Sequence, residues 1–253
     1  MSWNTVTVER QAPIAIVRMN RPAQLNAFNA ELSEELAEVG RSFHRDHDIH
    51  AVILTGSLRA FSAGADLKEE RPRGSLAEQR DRSHLGRHLC RAWEEMPQTT
   101  IAAIEGPAVG AGVAIAISCD WRVMADNAFL YVPEVKIGLT LQWQAIPRLV
   151  ALVGPARAKR IVMLCERMGA EQALQWGLIE EIAPAGGALD KALELARAAC
   201  EMPPVIMTMS KQAINATANV HMHAVSYMDS DVSILVRDTD EAKAARERFR
   251  AKK

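Results

Sequence analysis

The stretch "EGPAVGAGVAIAISCDWR", residues 105–122, decides how this chain folds. It is apolar along most of its length, but three glycines lie where a buried helix would begin. A transmembrane helix needs about 20 mainly apolar residues, whereas this run is bounded by Glu105 and Asp120. We therefore expect a core helix, with a glycine-rich entrance that lets a ligand approach the backbone, and no membrane span.

Composition and charge are those of an ordinary globular protein. The 253 residues are 49% hydrophobic and 24% charged, with a formal net charge of -1, so a basic field that would attract nucleic acid or a membrane surface is not expected. The first residues lack the basic and then apolar pattern of a signal peptide, and the four cysteines include no CxxC pair. The sequence predicts a soluble cytoplasmic protein with reduced thiols.

Strands and helices alternate through the first half of the chain. Two β-type runs around Pro13 predict a hairpin, and short, continuous apolar runs ending in glycine are typical of strands buried on both faces. Beyond residue 140 the pattern predicts mainly helices, with one short strand at 178–182. The predicted elements are strands at 4–10, 14–20, 51–56 and 99–106 and helices at 29–46 and 76–96.

The loops after the two buried strands carry small residues, in "FSAGAD" and "PAVGAG". Ligands bind at the carboxyl ends of parallel strands, and the first N–H groups of a helix have no partner within it. For either loop alone, an ordinary turn or a close helix–sheet contact is the better interpretation. Together they favour an oxyanion hole, in which each N–H donor contributes about 2.7–4 kcal/mol of transition-state stabilisation.

The order of seven segments strongly resembles the crotonase, or enoyl-CoA hydratase/isomerase, superfamily. The resemblance covers nearly the whole chain, and it implies an α/β fold with a core of repeated ββα units, here residues 1–190. It also implies a C-terminal helical region, residues 191–253, that forms a homotrimer or a dimer of trimers. The segments are "RPAQLNAF", "VILTG", "AFSAGADL", "IAAIEGPAVGAG", "SCDWRVMADNAFL", "PEVKIGL" and "ARAKRIVMLCERMGAEQALQWGLIEEI".

The same resemblance implies the ligand and its site. Acyl-CoA thioesters are the expected ligands, with coenzyme A as part of the substrate and no metal or redox cofactor. The backbone N–H groups of Ala63 and Ala111 would hold the thioester oxygen. The residues expected to line the CoA channel are Ala23, Leu25, Ala65, Asp66, Leu67 and Gly110.

Hydratases of this family carry two catalytic glutamates, and here only one matching position is acidic. The first falls on Ala114 and the second on Glu134. Without the resemblance, Glu134 would be interpreted as a surface glutamate. With it, Glu134 is the expected catalytic residue, and the resemblance implies that members keeping this glutamate alone include isomerases. One base suffices for a double-bond shift because it becomes the acid after its first transfer.

A second departure follows Glu134. Many relatives have a glycine-rich segment there, whereas this chain has "GLTLQWQAIPRL", with bulky residues at 142–144. Trp143 has two equally favoured interpretations, as a wall of the acyl pocket or as an ordinary core residue. The difference makes straight-chain fatty acyl substrates less expected.

Other polar residues are weaker candidates. Histidines at 44–50 and 84–88 have spacings that suit a metal, but their charged surroundings favour solvated helix faces. Asp120 fits a structural hydrogen bond at a helix end at least as well as catalysis. The basic residues with the reach to contact CoA phosphates, within a subunit or across an interface, are Lys211, Arg250 and Lys252.

Three classes of function remain open from the sequence. The leading one is an acyl-CoA lyase or isomerase that acts through Glu134. The second is another reaction of the same superfamily, such as thioester hydrolysis, dehalogenation or decarboxylation. The third is a protein that binds acyl-CoA or RNA without catalysis, which salt-dependent RNA binding would distinguish.

Overall fold

Two β-sheets organise the computed structural model, which describes residues 3–69 and 74–251. The larger sheet has six strands in the order β1-β2-β3-β4-β6-β9, and the smaller has three in the order β5-β7-β8. The strands are β1 (Val6–Gln11), β2 (Ile14–Met19), β3 (Ala51–Thr55), β4 (Thr99–Ile104), β5 (Pro107–Val109), β6 (Trp121–Ala125), β7 (Phe129–Tyr131), β8 (Arg167–Gly169) and β9 (Glu181–Ala183).

The larger sheet confirms the predicted hairpin and the two predicted buried strands. β1 and β2 pair antiparallel, and every later neighbour in this sheet pairs parallel. All residues of β3 and β4 are buried, which explains their largely apolar sequence. The carboxyl ends of β2, β3 and β4 therefore meet at one edge, where the loops that follow them lie side by side.

The smaller sheet was not predicted. Its strands have only three residues each, too few to show an alternating pattern, and β8 lies in the part of the chain expected to be mainly helical. β5 occupies the glycine-rich entrance and is followed directly by a short helix. The stretch at 105–122 thus contains the expected buried helix, preceded by a strand that was not expected.

Ten α-helices surround the sheets in the described residues. Sequence signals mark several of their ends, since Asn29 caps the first helix and Ser75 forms a capping box with Glu78 at the second. The fourth helix is broken at Gly154, where φ is 75°. The helices are α1 (Ala30–Ser42), α2 (Leu76–Glu94), α3 (Ala111–Ala116), α4 (Ala145–Met163), α5 (Ala170–Trp176), α6 (Ala188–Cys200), α7 (Pro204–Ala218), α8 (Met222–Ser226), α9 (Asp229–Val236) and α10 (Asp240–Arg250).

The C-terminal helices pack on their own chain. The boundary expected between residues 190 and 191 falls inside α6, and this helix packs across β3, β4 and β6 as part of the core. Further on, α9 contacts α2, and α10 contacts the 3-10 helix Glu134–Ile137. That last contact is close, because a Cβ atom at Gly138 would lie 2.5 Å from the carbonyl oxygen of Ala242.

Candidate active site

Buried polar side chains join the loops that follow β2 and β3. Asn26 is fully buried, and its Nδ2 donates to the carbonyls of Ala60 and Phe61, each at 3.2 Å. In return, Ser62 Oγ donates to the Asn26 carbonyl at 2.8 Å and accepts from the Gly64 N–H at 3.1 Å. These bonds fix the backbone of "FSAGAD" against the residues that follow β2.

The N–H group of Ala65 points toward the glycine-rich entrance of α3. The carbonyl of Gly64 accepts from the Phe28 N–H at 2.8 Å. Because C=O and N–H point in opposite directions across a trans peptide, the Ala65 N–H points away from Phe28. On that opposite side, Ser62 pairs with β5. Ala65 is exposed, and its N–H has no backbone acceptor within residues 3–69 and 74–251.

The expectation that Ala63 donates to a ligand is corrected by the structure. Its N–H donates to the Leu25 carbonyl at 2.9 Å, so this group already has a partner inside the chain. The positive φ of Gly64, 90°, breaks the alternation of N–H directions along the loop and turns the next N–H toward β5. Ala65, expected only to line the channel, carries the outward-facing donor.

The N–H of Ala111 faces outward at the start of α3. The carbonyl of Gly110 accepts from the Ala114 N–H at 3.0 Å, along the helix, so the Ala111 N–H in the same peptide points away from the helix. Gly110 has a φ of 48° and donates its own N–H to the Tyr131 carbonyl at 2.8 Å. Glycine is needed here because of this conformation and because of the carboxyl group that lies beside it.

That carboxyl group belongs to Glu134. A Cβ atom at Gly110 would lie only 2.4 Å from Glu134 Oε1, so the carboxyl group touches the peptide just before Ala111. Its other oxygen, Oε2, is buried and has no hydrogen-bond partner among the described residues. Burial raises the pKa of Glu134 to about 7. An acid with this pKa can both accept and release a proton near neutral pH.

No second acid stands one helical turn into α3. Position 114 holds an alanine that is 1% exposed, and its N–H belongs to the first hydrogen bond of the helix. The site thus combines one buried carboxyl group with two outward-facing N–H groups, those of Ala65 and Ala111. Such a set can transfer a proton and stabilise an oxyanion.

The other residues expected to line a CoA channel lie on the segments that follow β2 and β3. Ala23 is exposed on the 3-10 helix Pro22–Gln24, Leu25 has a left-handed φ of 50°, and Leu67 is exposed. Asp66 pairs with Arg21 at 3.1 Å, which ties the two segments together. Arg21 was not among the predicted residues, although it opens the segment "RPAQLNAF".

Trp143 packs against the core, which agrees with one of the two interpretations left open for it, whereas its role as a wall of the acyl pocket stays a prediction. Its indole packs edge-on against the Phe28 ring, with the ring centroids 5.4 Å apart and an interplanar angle of 90°. It also lies on Gly86 of α2, where a Cβ atom would come within 1.8 Å of the indole. The side chain is partly buried against the core and, through Phe28, adjoins the Ala65 loop. Gly86 and Phe28 were missed because their role depends on this distant tryptophan.

The basic and histidine candidates lie elsewhere. Lys211 pairs with Asp120 at 2.7 Å and donates to the Gln98 carbonyl at 2.8 Å, so its expected role toward CoA phosphates is replaced by a structural one. Asp120 also accepts from the N–H of Thr100, consistent with the structural interpretation. The side chain of Arg250, and Lys252, lie outside the described residues. Among described residues no group of three metal-ligating side chains occurs, and no helix could span a membrane.

Comparison with known proteins identifies the family. The enoyl-CoA hydratase/isomerase sequence family matches residues 9–253. The short-chain-enoyl-CoA hydratase of Clostridium acetobutylicum is 36% identical over 216 residues, 85% of this chain and 82% of that protein. An enoyl-CoA hydratase structure from Mycobacterium avium subsp. paratuberculosis K-10 gives a TM-score of 0.89 at 25% identity, covering 100% of this chain and 98% of that one.

A monofunctional enoyl-CoA isomerase from M. smegmatis has the same fold, with a TM-score of 0.73 at 24% identity over 85% of this chain and 94% of that one. The fold and these relatives define a crotonase-superfamily enzyme that acts on acyl-CoA. The chain belongs to the enoyl-CoA hydratase/isomerase family. The predicted crotonase-like fold is confirmed, whereas the trimer-forming role of the C-terminal helices stays a prediction.

Proposed function

We propose that the enzyme shifts a carbon–carbon double bond in an enoyl-CoA thioester, with Glu134 as its acid–base residue. The thioester oxygen accepts hydrogen bonds from the N–H groups of Ala65 and Ala111. Both groups face the space beside the Glu134 carboxyl group, so a substrate held there presents its C2 protons to that carboxylate. This arrangement of one carboxyl group with an unpartnered oxygen beside two outward-facing N–H groups is the observation that supports the proposal.

The proposed reaction moves one proton and one double bond. Glu134 removes a proton from C2 of a 3-enoyl thioester, and the electrons of that C–H bond form a C1–C2 double bond while the carbonyl π electrons move onto the thioester oxygen. Negative charge on the thioester oxygen is stabilised by the two N–H donors. The protonated Glu134 then returns the proton to C4: the carbonyl re-forms, the C1–C2 π electrons become the C2–C3 double bond, and the C3–C4 π electrons form the new C4–H bond. Proton count and charge balance without a second side chain.

The alternative is hydration, which the names of the hydratase relatives favour. Hydration requires water to be oriented and deprotonated at C3 while a proton is delivered to C2. The methyl group of Ala114 can do neither, and Glu134 alone would have to serve both steps. A missing acid–base group typically costs about 10²–10⁴-fold in rate, so isomerisation is the better supported reaction.

A direct comparison of the two reactions tests the proposal. Purified enzyme is given 3-hexenoyl-CoA and, separately, crotonyl-CoA, and the formation of 2-enoyl and 3-hydroxyacyl thioesters is followed by absorbance and mass spectrometry. We expect isomerisation to exceed hydration by at least about 100-fold. Efficient hydration of crotonyl-CoA would instead assign the enzyme to the hydratases, and turnover of neither thioester would point to another reaction of the superfamily.

We also infer that the enzyme assembles as a homotrimer or a dimer of trimers. The C-terminal helices expose more large apolar side chains than a lone domain usually leaves in water, and symmetric association would bury them. Sedimentation at micromolar concentration is expected to show a species of three or six chains, and a single-chain species alone would contradict the inference. The exposed side chains include Val205, Ile206, Met209, Ile214, Val225, Tyr227 and Leu235.

A further inference from the structure

We propose that Trp143 sets the length of the acyl group that this enzyme accepts. The inference rests on the proposed function, because it concerns the acyl part of the same thioester site. The indole lies on Gly86 and against Phe28, and in this proposal it ends the acyl site beyond the reacting carbons. Short acyl groups fit in front of it, and longer chains meet its ring.

The position of the indole follows from the packing of two helices. α2 and α3 each connect parallel strands, so both run opposite to those strands and parallel to each other. α2 packs against α3, with the Cys90 thiol beside the Ser118 side chain just after α3. Gly86 lies one helical turn before Cys90, and Ala114 lies one turn before Ser118. Gly86 and Ala114 are therefore at the same level along the two helices. The indole that covers Gly86 thus lies beside the first turn of α3, where Ala111 and the Glu134 carboxyl group define the reacting end.

The ring also adjoins the loop of the second N–H donor. Phe28, which meets the indole edge-on, forms an isolated parallel bridge with Ala65, and paired residues direct their side chains to the same face. Trp143 therefore packs beside both donor segments. An acyl chain that leaves the oxyanion hole between them encounters the indole at its far end.

The backbone of the 142–144 segment holds the ring in place from two sides. Trp143 and Gln144 both have positive φ angles, 64° and 57°, and Arg148 Nη1 donates to both of their carbonyls at 3.0 Å. The side chain of Arg148 is itself buried and paired with Glu94 at 2.8 Å. From the other side, Asp229 accepts from the Gln144 N–H at 2.8 Å. A segment fixed in this way cannot move aside for a longer substrate without breaking these bonds.

The first measurement compares affinities along a series of saturated thioesters. Acetyl-, butanoyl- and octanoyl-CoA are titrated by calorimetry into the natural enzyme and into Trp143→Ala. We expect the natural enzyme to bind octanoyl-CoA more weakly than butanoyl-CoA. In the variant, the octanoyl-to-acetyl affinity ratio should rise at least about tenfold, since each additional buried methylene favours binding. Trp176→Ala, which removes a partly buried indole on α5, is the matched control and should keep the natural ratio.

The ratio separates a role in selectivity from general damage. A variant that is merely less well folded binds all three thioesters more weakly and leaves the ratio unchanged. An unchanged ratio in a folded Trp143→Ala enzyme overturns the role of Trp143 while leaving the proposed function intact. A failure of the natural enzyme to bind any of the thioesters overturns both.

A second arm tests where the indole lies. Gly86→Ala places a methyl group in the space of the ring, so it should lower the melting temperature of the natural enzyme. In the Trp143→Ala background the same change should be neutral or raise the melting temperature, because alanine favours a helix over glycine. Equal shifts in the two backgrounds would show that the indole does not occupy the space beside Gly86 and would overturn the proposal.

Discussion

Replacing Glu134 with glutamine is expected to reduce turnover by about 10²–10⁴-fold or more, with little loss of thioester affinity. Glutamine keeps the size of the side chain beside Gly110 but can neither accept nor return a proton. The natural enzyme should also show a pH dependence. Since Glu134 must be ionised to act as a base and burial raises its pKa to about 7, kcat/KM should rise with pH and level off above neutrality. Steady-state kinetics between pH 5 and 9 measure both effects.

The stability of the same variant provides the control. A folded-state pKa above the ordinary value of 4.5 means that the folded protein holds this proton more tightly than the unfolded chain does. The free energy of unfolding of the natural enzyme therefore loses up to about 3 kcal/mol from this group as pH rises from 4.5 through 7. Glu134→Gln lacks this loss and should gain stability relative to the natural enzyme over that range. Undiminished turnover in the folded variant would show that another residue moves the proton.

The sequence predicts most of what positions this site, because its signals are local. The largely apolar strands β3 and β4, the hairpin at Pro13 and the small residues at the strand ends all act through neighbours in the chain. From them follow the edge where ligands bind and the outward direction of the Ala111 N–H. The approach of Glu134 to Gly110 came from the resemblance to a family, since no local pattern brings residues 24 positions apart together.

The parts that the sequence did not predict depend on single backbone angles or on distant contacts. The outward-facing N–H donor is that of Ala65 and not that of Ala63, because Gly64 has a positive φ. The sequence does not predict this, since a glycine in a loop is compatible with either direction of the next N–H. Gly86 has no visible reason to be glycine until Trp143 is placed over it. The boundary near residue 190 stays a prediction, although it falls inside α6, a helix that packs on the sheet.

Ala111→Pro is expected to lower turnover by about 10²–10³-fold, the usual effect of removing one oxyanion-hole donor. Position 111 is the first residue of α3, where proline is favoured in helices and where the N–H has no intrahelical partner to lose. The substitution therefore removes the donor and places a ring carbon where the thioester oxygen would lie. Kinetics with 3-hexenoyl-CoA, together with circular dichroism to confirm the fold, measure the effect.

Ala111→Gly separates the N–H group from the side chain. It retains the donor and removes only a methyl group that is 9% exposed, so turnover should stay within about tenfold of the natural enzyme, the loss reflecting glycine's lower helix propensity at the start of α3. A large loss in both variants would mean that the methyl group or the rigidity of this turn matters more than the hydrogen bond. Full turnover in a folded Ala111→Pro enzyme would exclude the N–H of Ala111 as a donor, and the negative charge on the thioester oxygen would then need a partner other than the start of α3.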